Sequence, residues 1–115
     1  MKQRPHSVLV PDALLDRVAQ RFRVLGDASR LTILRLLVDR GELPVGTIVD
    51  EVGMSQANVS KHLRHLLDAG IVARRAEGTS AYYSVVDGSV EQLCSIVCDR
   101  IETQFQADVA TFTRG

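Results

Sequence analysis

The stretch SQANVSKHLRHLLDAG, residues 55–70, decides the fold of this chain. Ser55 belongs to the residue types that favour a helix N-cap, and Gly70 is typical of the position just after a helix. Between them the apolar residues recur three and four positions apart, on one side of a helix: Val59, Leu63, Leu66 and Leu67. A short helix is predicted at residues 44–52, with Pro44 at its first position. A connection of about three residues between two helices is typical of a helix-turn-helix.

The residues after Gly70 change from helical to strand periodicity. Residues 71–75 and 81–86 have the alternation and the β-branched and aromatic side chains of strands, and Gly78 lies in the segment between them. This pattern predicts a β-hairpin that directly follows the helix-turn-helix. That order of elements defines a winged helix.

Further helices are predicted on both sides of this unit. Residues 11–25 carry an apolar stripe, and residues 27–41 form a helix capped by Asp27 whose apolar residues cover most of its circumference, as expected of a central helix. The helix predicted at residues 89–112 has a third stripe, which consists of Val90, Leu93, Cys94, Val97, Cys98, Ile101, Phe105 and Phe112. The predicted fold class is therefore mainly α with a β-hairpin wing (α+β), in the order α-α-α-α-β-β-α.

Length and composition agree with one cytoplasmic domain. A chain of 115 residues suits a single domain and is too short for a dinucleotide-binding domain with a substrate domain beside it. No apolar run approaches the ~18–20 residues of a membrane span, and the N-terminus lacks the features of a signal peptide. The 2 cysteines lie close together, which favours reduced thiols over a disulfide framework. We predict a flexible tail at residues 1–10 and one winged helix-turn-helix domain over residues 11–115.

The charge of the chain is balanced overall but unevenly distributed. The sequence has 14 basic and 14 acidic side chains. Residues 55–75 contain four basic side chains against one acidic one, whereas residues 87–115 contain five acidic against two basic. Because phosphate contacts need only a local positive face, zero net charge does not exclude a nucleic-acid partner.

The helix at residues 55–69 has a polar outer face that suits the major groove of double-stranded DNA. Glutamine and asparagine can bind adenine through paired hydrogen bonds, serine can reach a base or a phosphate, and cations can bind phosphates. The candidate DNA-binding residues are Ser55, Gln56, Asn58, Ser60, Lys61, His62 and Arg64 on the helix and Arg74, Arg75 and Thr79 on the wing. The DNA-reading part is thus predicted at residues 44–86. The alternative is an ordinary amphipathic helix with a solvated polar face.

No pattern in the sequence indicates an enzyme. The 8 glycines are scattered and form no phosphate-binding loop. Ser60 and His62 are two positions apart on a helix, so they point in different directions and make no nucleophile–base pair. The rival to a DNA-binding regulator is a winged helix that contacts another protein. That rival predicts no salt-sensitive binding to duplex DNA.

The first and last helices carry more apolar surface than one small core can cover. An exposed apolar strip of this kind usually marks an interface. We therefore predict a homodimer joined through the helices at about residues 11–25 and 89–112. The alternative is a monomer that folds both helices onto its own core.

Two stretches resemble the ArsR/SmtB family of bacterial winged-helix repressors: LGDASRLTILRLL at residues 25–37 and VGMSQANVSKHLRHLLDAGIVARRAEGTSAYYSV at residues 52–85. The resemblance implies a dimeric transcriptional repressor that binds an imperfect palindrome near its own promoter and is released by a ligand, often a metal ion. The family's recognition-helix positions at the DNA correspond here to Ser55, Gln56, Ser60 and His62. On a helical wheel, however, His62 lies at the margin of the core face.

The metal sites of that family lack ligands in this chain. Glu-Leu-Pro-Val-Gly at residues 42–46 replaces its E-L-C-V-C motif, and Asp-Gly-Ser at residues 87–89 replaces its Asp-x-His, with no histidine after His65. Cys94 and Cys98 remain, four positions apart on one helix face. They predict either a site for a thiophilic ion such as As(III), Cd(II) or Cu(I), or a pair that is oxidised or bridged by a persulfide. The other interpretation is that both are small hydrophobic side chains within the stripe.

Overall fold

The computed structural model describes residues 10–114 of the chain, and the side chains of residues 10–110. A 3-10 turn at Asp12–Leu14 precedes the first helix. The five α-helices are α1 (Leu15–Leu25), α2 (Ala28–Arg40), α3 (Val45–Val52), α4 (Gln56–Asp68) and α5 (Gly88–Arg114). The three strands are β1 (Leu43–Pro44), β2 (Val72–Glu77) and β3 (Ser80–Val85). Within the described residues, no helix combines the length and the apolar character that crossing a membrane requires.

The predicted winged helix is confirmed, with one strand that the sequence did not indicate. Strand β1 pairs antiparallel with β3, so that Leu43 lies opposite Tyr83 and Pro44 opposite Tyr82. Pro44 is therefore extended and precedes α3, and the prediction that it opens the helix is wrong. A proline is tolerated here because β1 is an edge strand of the order β1-β3-β2.

The helix-turn-helix forms because local interactions end α3 and begin α4 within a few residues. Gly53 ends α3 in the left-handed conformation at φ 71°, which glycine adopts at little steric cost. Ser55 caps α4 through its hydroxyl, which accepts a hydrogen bond from the Asn58 backbone N–H at 3.1 Å. Both the short connection and the predicted N-cap are thus confirmed.

The core lies where the three central helices meet the base of the wing. Its largest fully buried side chains are Ile33, Leu37, Ile48, Val59, Leu63, Leu66 and Ile71. Helix α2 runs through the middle of the domain, as its apolar circumference predicts. Asp27 caps its N-terminus, where the side chain accepts a hydrogen bond from the Arg30 backbone N–H at 3.0 Å. This core fixes α4 from behind and leaves its other side exposed.

Helix α5 leaves the domain after its first two turns. Val90 is buried and Leu93 and Cys94 are half-buried against the core, whereas all described side chains from Ser95 onward are exposed. The helix is 27 residues long and contains the predicted range 89–112. The side chain of Phe112, which the predicted stripe includes, lies outside the described residues, as do residues 1–9 of the predicted tail.

Candidate nucleic-acid interface

The outer face of α4 is polar and open to solvent. The residues before Val59 and those between the buried positions that follow are exposed; they include the predicted contacts Ser55, Gln56, Asn58, Ser60, Lys61 and Arg64. Val59, Leu63 and Leu66 anchor the opposite face in the core. Arg64 forms an ion pair with Asp68 at 3.2 Å, and since both side chains are mostly exposed, this pair contributes little to stability. The helix thus presents amide and hydroxyl groups first and cations further along.

His62 lies on the core side of α4 and not on its outer face. Only 8% of the residue is exposed, and its Nδ1 accepts a hydrogen bond from Arg30 Nη1 at 3.4 Å. Burial lowers the pKa of His62, with the carboxylate of Asp27 opposing that shift. The ring packs between α2 and α4, on the side of α4 away from the other predicted contacts, and a contact of His62 with DNA stays a prediction.

One basic side chain of the wing, Arg75, is paired with acidic side chains of the same protomer. Arg75, which the sequence places among the candidate DNA-binding residues, binds Glu42 through two nitrogens and Glu77 through the third. The pKa of Glu42 is lowered, chiefly by the hydrogen bond from Arg75. The other predicted wing residues, Arg74 and Thr79, are exposed, and Thr79 lies in the turn beside Gly78.

A second arginine joins three helices behind the interface. Arg21 of α1 donates to Asp87 Oδ2 at 2.6 Å and to the backbone carbonyl of Ala69, at the end of α4, at 3.0 Å. Asp87 in turn caps α5, because its Oδ1 accepts from the backbone N–H and the hydroxyl of Ser89. Sequence reasoning did not single out Arg21, which looks like any polar residue of an amphipathic helix. The Asp-Gly-Ser pattern at the start of α5 is the available signal for the cap.

We expect the contacts of Asp87 with Ser89 and Arg21 to make the stability of the fold depend on pH in the acid range. The pKa of Asp87 is lowered, first by the Ser89 hydroxyl and backbone N–H and further by Arg21. A lowered pKa stabilises the fold above the ordinary carboxyl value of 3.8, and the contribution is lost as pH falls through the lowered pKa. We expect Asp87→Asn to have a lower melting temperature than wild type at neutral pH, and the difference in melting temperature should narrow as the pH falls below 3.8 through the lowered pKa of Asp87. Melting curves of both proteins at fixed protein concentration over a series of pH values test this, and a difference in melting temperature that is the same at every pH would contradict it.

An apolar groove of about 740 Å³ separates α5 from α1 and α2. Its lining includes Phe22, Leu31, Val38, Leu93, Val97 and Ile101, together with both cysteines. Cys94 is half-buried and Cys98 is exposed, and both are free thiols. Among the residues that the structure describes, no cluster of three or more histidine, cysteine or acidic side chains could hold a metal ion.

This geometry defines a winged helix-turn-helix protein with an exposed recognition helix. The model for bacterial regulatory proteins of the arsR family matches residues 27–74. The chain is 40% identical over 82 residues to an uncharacterized HTH-type transcriptional regulator of Methanocaldococcus jannaschii, covering 71% of this chain and 92% of that protein. It is 35% identical over 88 residues to the arsenical resistance operon repressor of Bacillus subtilis, covering 72% and 84%.

A solved structure agrees with the sequence relatives. The homodimeric winged helix-turn-helix DNA-binding domain of a possible ArsR-family regulator from Mycobacterium bovis superposes with a TM-score of 0.73 at 32% identity, over 87% of this chain and 94% of that one. The chain belongs to the arsR family of bacterial regulatory proteins. Membership confirms the prediction of a DNA-binding transcriptional regulator rather than an enzyme.

Proposed function

We propose that this chain is a homodimeric repressor that inserts its two α4 helices into successive major grooves of an imperfect palindrome. The observation that carries the proposal is the exposed polar face of α4, held outward by a capped and buried opposite face. Gln56 and Asn58 read adenines, and Ser55 and Ser60 bind bases or the adjoining phosphates. The cations Lys61, Arg64 and Arg74 bind phosphates. Thr79 reaches the flanking backbone from the tip of the wing.

The two-fold pairing is formed by the ends of the chain. Helix α5 exposes a row of large apolar side chains at helical spacing, which consists of Val97, Ile101, Phe105 and Val109. Helix α1 and the turn before it expose Leu14, Leu15 and Phe22. Patches of this kind are uncommon on monomers and typical of interfaces, and the Mycobacterium bovis relative is a homodimer. A two-fold pairing that sets the α4 helices about 34 Å apart matches two half-sites one helical turn apart.

The inducer acts at the thiols of Cys94 and Cys98. The pair lies in the groove between α5 and the body of the domain, with Cys98 accessible to solvent. Thiolates are soft ligands, which favours an ion such as As(III), Cd(II) or Cu(I), and the arsenical resistance repressor among the relatives fits that class. Cys94 and Cys98 would supply two of the ligands, and for an ion that takes more, the others would come from the partner. Oxidation of the pair to a disulfide, with two electrons and two protons passed to an oxidant, is the other chemistry open to it.

Arg21 provides the physical link between that event and DNA. It touches the N-terminal cap of α5 and the last carbonyl of α4 with the same guanidinium group. A change in how α1 and α5 pack therefore moves the end of the recognition helix. Coupling of about 1–3 kcal/mol is enough for an inducible repressor, provided that the inducer fits one dimer geometry better than the other.

Thiol sensing is tested on a duplex selected from a randomised library by the reduced protein. We expect As(III), Cd(II), Cu(I) or a mild oxidant to weaken binding of wild type by roughly 5–150-fold, and Cys94→Ser and Cys98→Ser to lose most of that response. Fluorescence anisotropy measures both. Ser95→Ala on the same helix is the matched control and should respond like wild type. If both cysteine variants also respond like wild type, the cysteines are structural. If no duplex is selected, the winged helix serves another partner.

A further inference from the structure

The middle of the wing, where β1 pairs with Tyr82, holds a compact charged cluster around Arg75. Its Nε and Nη2 donate to the two carboxylate oxygens of Glu42 at 2.9 and 2.8 Å, and its Nη1 donates to Glu77 Oε1 at 2.9 Å. The guanidinium carbon lies 4.8 Å from the ring centroid of Tyr82. All three nitrogens are therefore bonded to acids, and the planar group stacks on an aromatic face, which is the geometry in which arginine is most firmly held.

The cluster ties the wing to the body of the domain. Glu42 lies in the turn between α2 and β1, Arg75 on β2 and Tyr82 on β3. Tyr82 is paired with Arg75 on one side and with Pro44 on the other, so the contacts run across all three strands. Since side chains alternate along a strand, Arg74 lies on the opposite face of the sheet and takes no part.

Phosphate binding is a poor use of this arginine. Two carboxylates surround one guanidinium, so the cluster carries net negative charge, and a phosphate would have to displace the bidentate pair with Glu42. Strand β1 supports the hairpin through only two residues, Leu43 and Pro44, and such short pairings are marginally rigid. The two bonds from Arg75 to Glu42 act as a clamp, which sets the angle between the wing tip and α4.

We propose that Arg75 is a positioning residue, which locks the wing onto the α2–β1 turn through Glu42 and leaves phosphate binding to Arg74 and Thr79. This proposal rests on DNA binding by α4 as proposed above. It predicts that loss of Glu42 weakens DNA binding, whereas an argument from net charge alone predicts tighter binding. Glu42 and Glu77 are both acids beside Arg75, but only Glu42 spans from the wing to the body.

The decisive comparison is Glu42→Gln against Glu77→Gln on the selected duplex. Simple electrostatics predicts that removing either acid tightens binding, because each removes a negative charge near DNA and frees Arg75. The clamp predicts that Glu42→Gln weakens binding by about two- to tenfold while Glu77→Gln does not weaken it. Anisotropy titrations at several salt concentrations measure both, and thermal unfolding shows that each variant is folded.

Arg75→Lys gives an independent readout. Lysine keeps the charge but lacks the planar fork, so the clamp predicts weaker binding with an unchanged dependence on salt. A phosphate contact predicts near wild-type binding for Arg75→Lys and a salt slope lowered by about one per half-site for Arg75→Gln. The exchanged pair Glu42→Arg with Arg75→Glu should recover part of the affinity lost by either single variant.

The outcomes separate this proposal from the one it rests on. If wild type binds no duplex, the proposed function fails. If wild type binds and Glu42→Gln binds as tightly as Glu77→Gln, the clamp is refuted while DNA binding stands. If Glu42→Gln does not fold, the exchanged pair decides: recovery of binding supports the clamp, and a folded exchanged pair without recovery refutes it.

Discussion

Replacement of Ile101 by glutamate is expected to convert the dimer into monomers and to remove most of the affinity for a two-half-site duplex. Ile101 is 58% exposed in the single chain, yet it lies in the centre of the apolar row on α5 and lines the groove beside α1. In a two-fold interface, the glutamate at this position would be a buried charge without a partner. By analogy with buried ion pairs that have lost one member, this would destabilise the dimer by about 3–5 kcal/mol. Loss of the second binding site then weakens the complex by roughly 10²–10⁴-fold.

The size of the protein and its binding are measured together. Sedimentation velocity gives the oligomeric state, and anisotropy on full-site and half-site duplexes gives the affinity. Thr103→Glu introduces the same carboxylate on the other side of α5, about 200° around the helix from Ile101, and should remain dimeric. A dimeric Ile101→Glu variant with wild-type binding would show that α5 does not form the interface. Monomers with full affinity for the whole site would show that the half-sites are not read together.

The parts of the fold that sequence predicts are those with local causes. The cap at Ser55, the stripe behind α4 and the glycine of the wing turn each act within a few residues, so their pattern is visible in the chain. Strand β1 has only two residues and exists because β3 pairs with it, which no periodicity can reveal. His62 shows the same difference between local and long-range causes. A helical wheel places it at the margin of the core face, and only its contact with Arg30, 32 positions away, shows that the side chain faces the core.

The side-chain links behind the interface were invisible for the same reason. Arg75 and Glu42 are 33 positions apart, and Arg21 and Asp87 are 66 apart. On its charge alone, Arg75 was therefore expected at the DNA, and Arg21 carried no signal at all. From the sequence alone, an arginine on a wing is expected to bind phosphate, because only the fold shows which acids lie beside it. Lys61, Gln56 and Ser60 pose no such difficulty, since they lie on the exposed face and their surroundings are solvent.

Gln56→Ala and Lys61→Ala should both weaken DNA binding, the first only for particular base pairs and the second for all sequences alike. Gln56 is the first residue of α4 and is exposed, and the N-cap bond runs from the Asn58 backbone to Ser55, so the substitution leaves the cap intact. Alanine also has at least the helix propensity of glutamine. Loss of affinity is therefore loss of a base contact, about 1–3 kcal/mol per half-site, and it should vanish on duplexes whose A·T pair at that position is replaced.

Lys61 lies further along the same face, where the geometry favours the phosphate backbone. We expect Lys61→Ala to weaken every duplex by a similar factor and to lower the slope of log affinity against log salt by about one per half-site. Titrations of both variants on the selected duplex and on its single-pair replacements, each over a series of salt concentrations, separate the two effects. Uniform weakening by Gln56→Ala across all replacements would contradict base reading by α4. A sequence-dependent loss for Lys61→Ala would mean that the cation reaches into the groove.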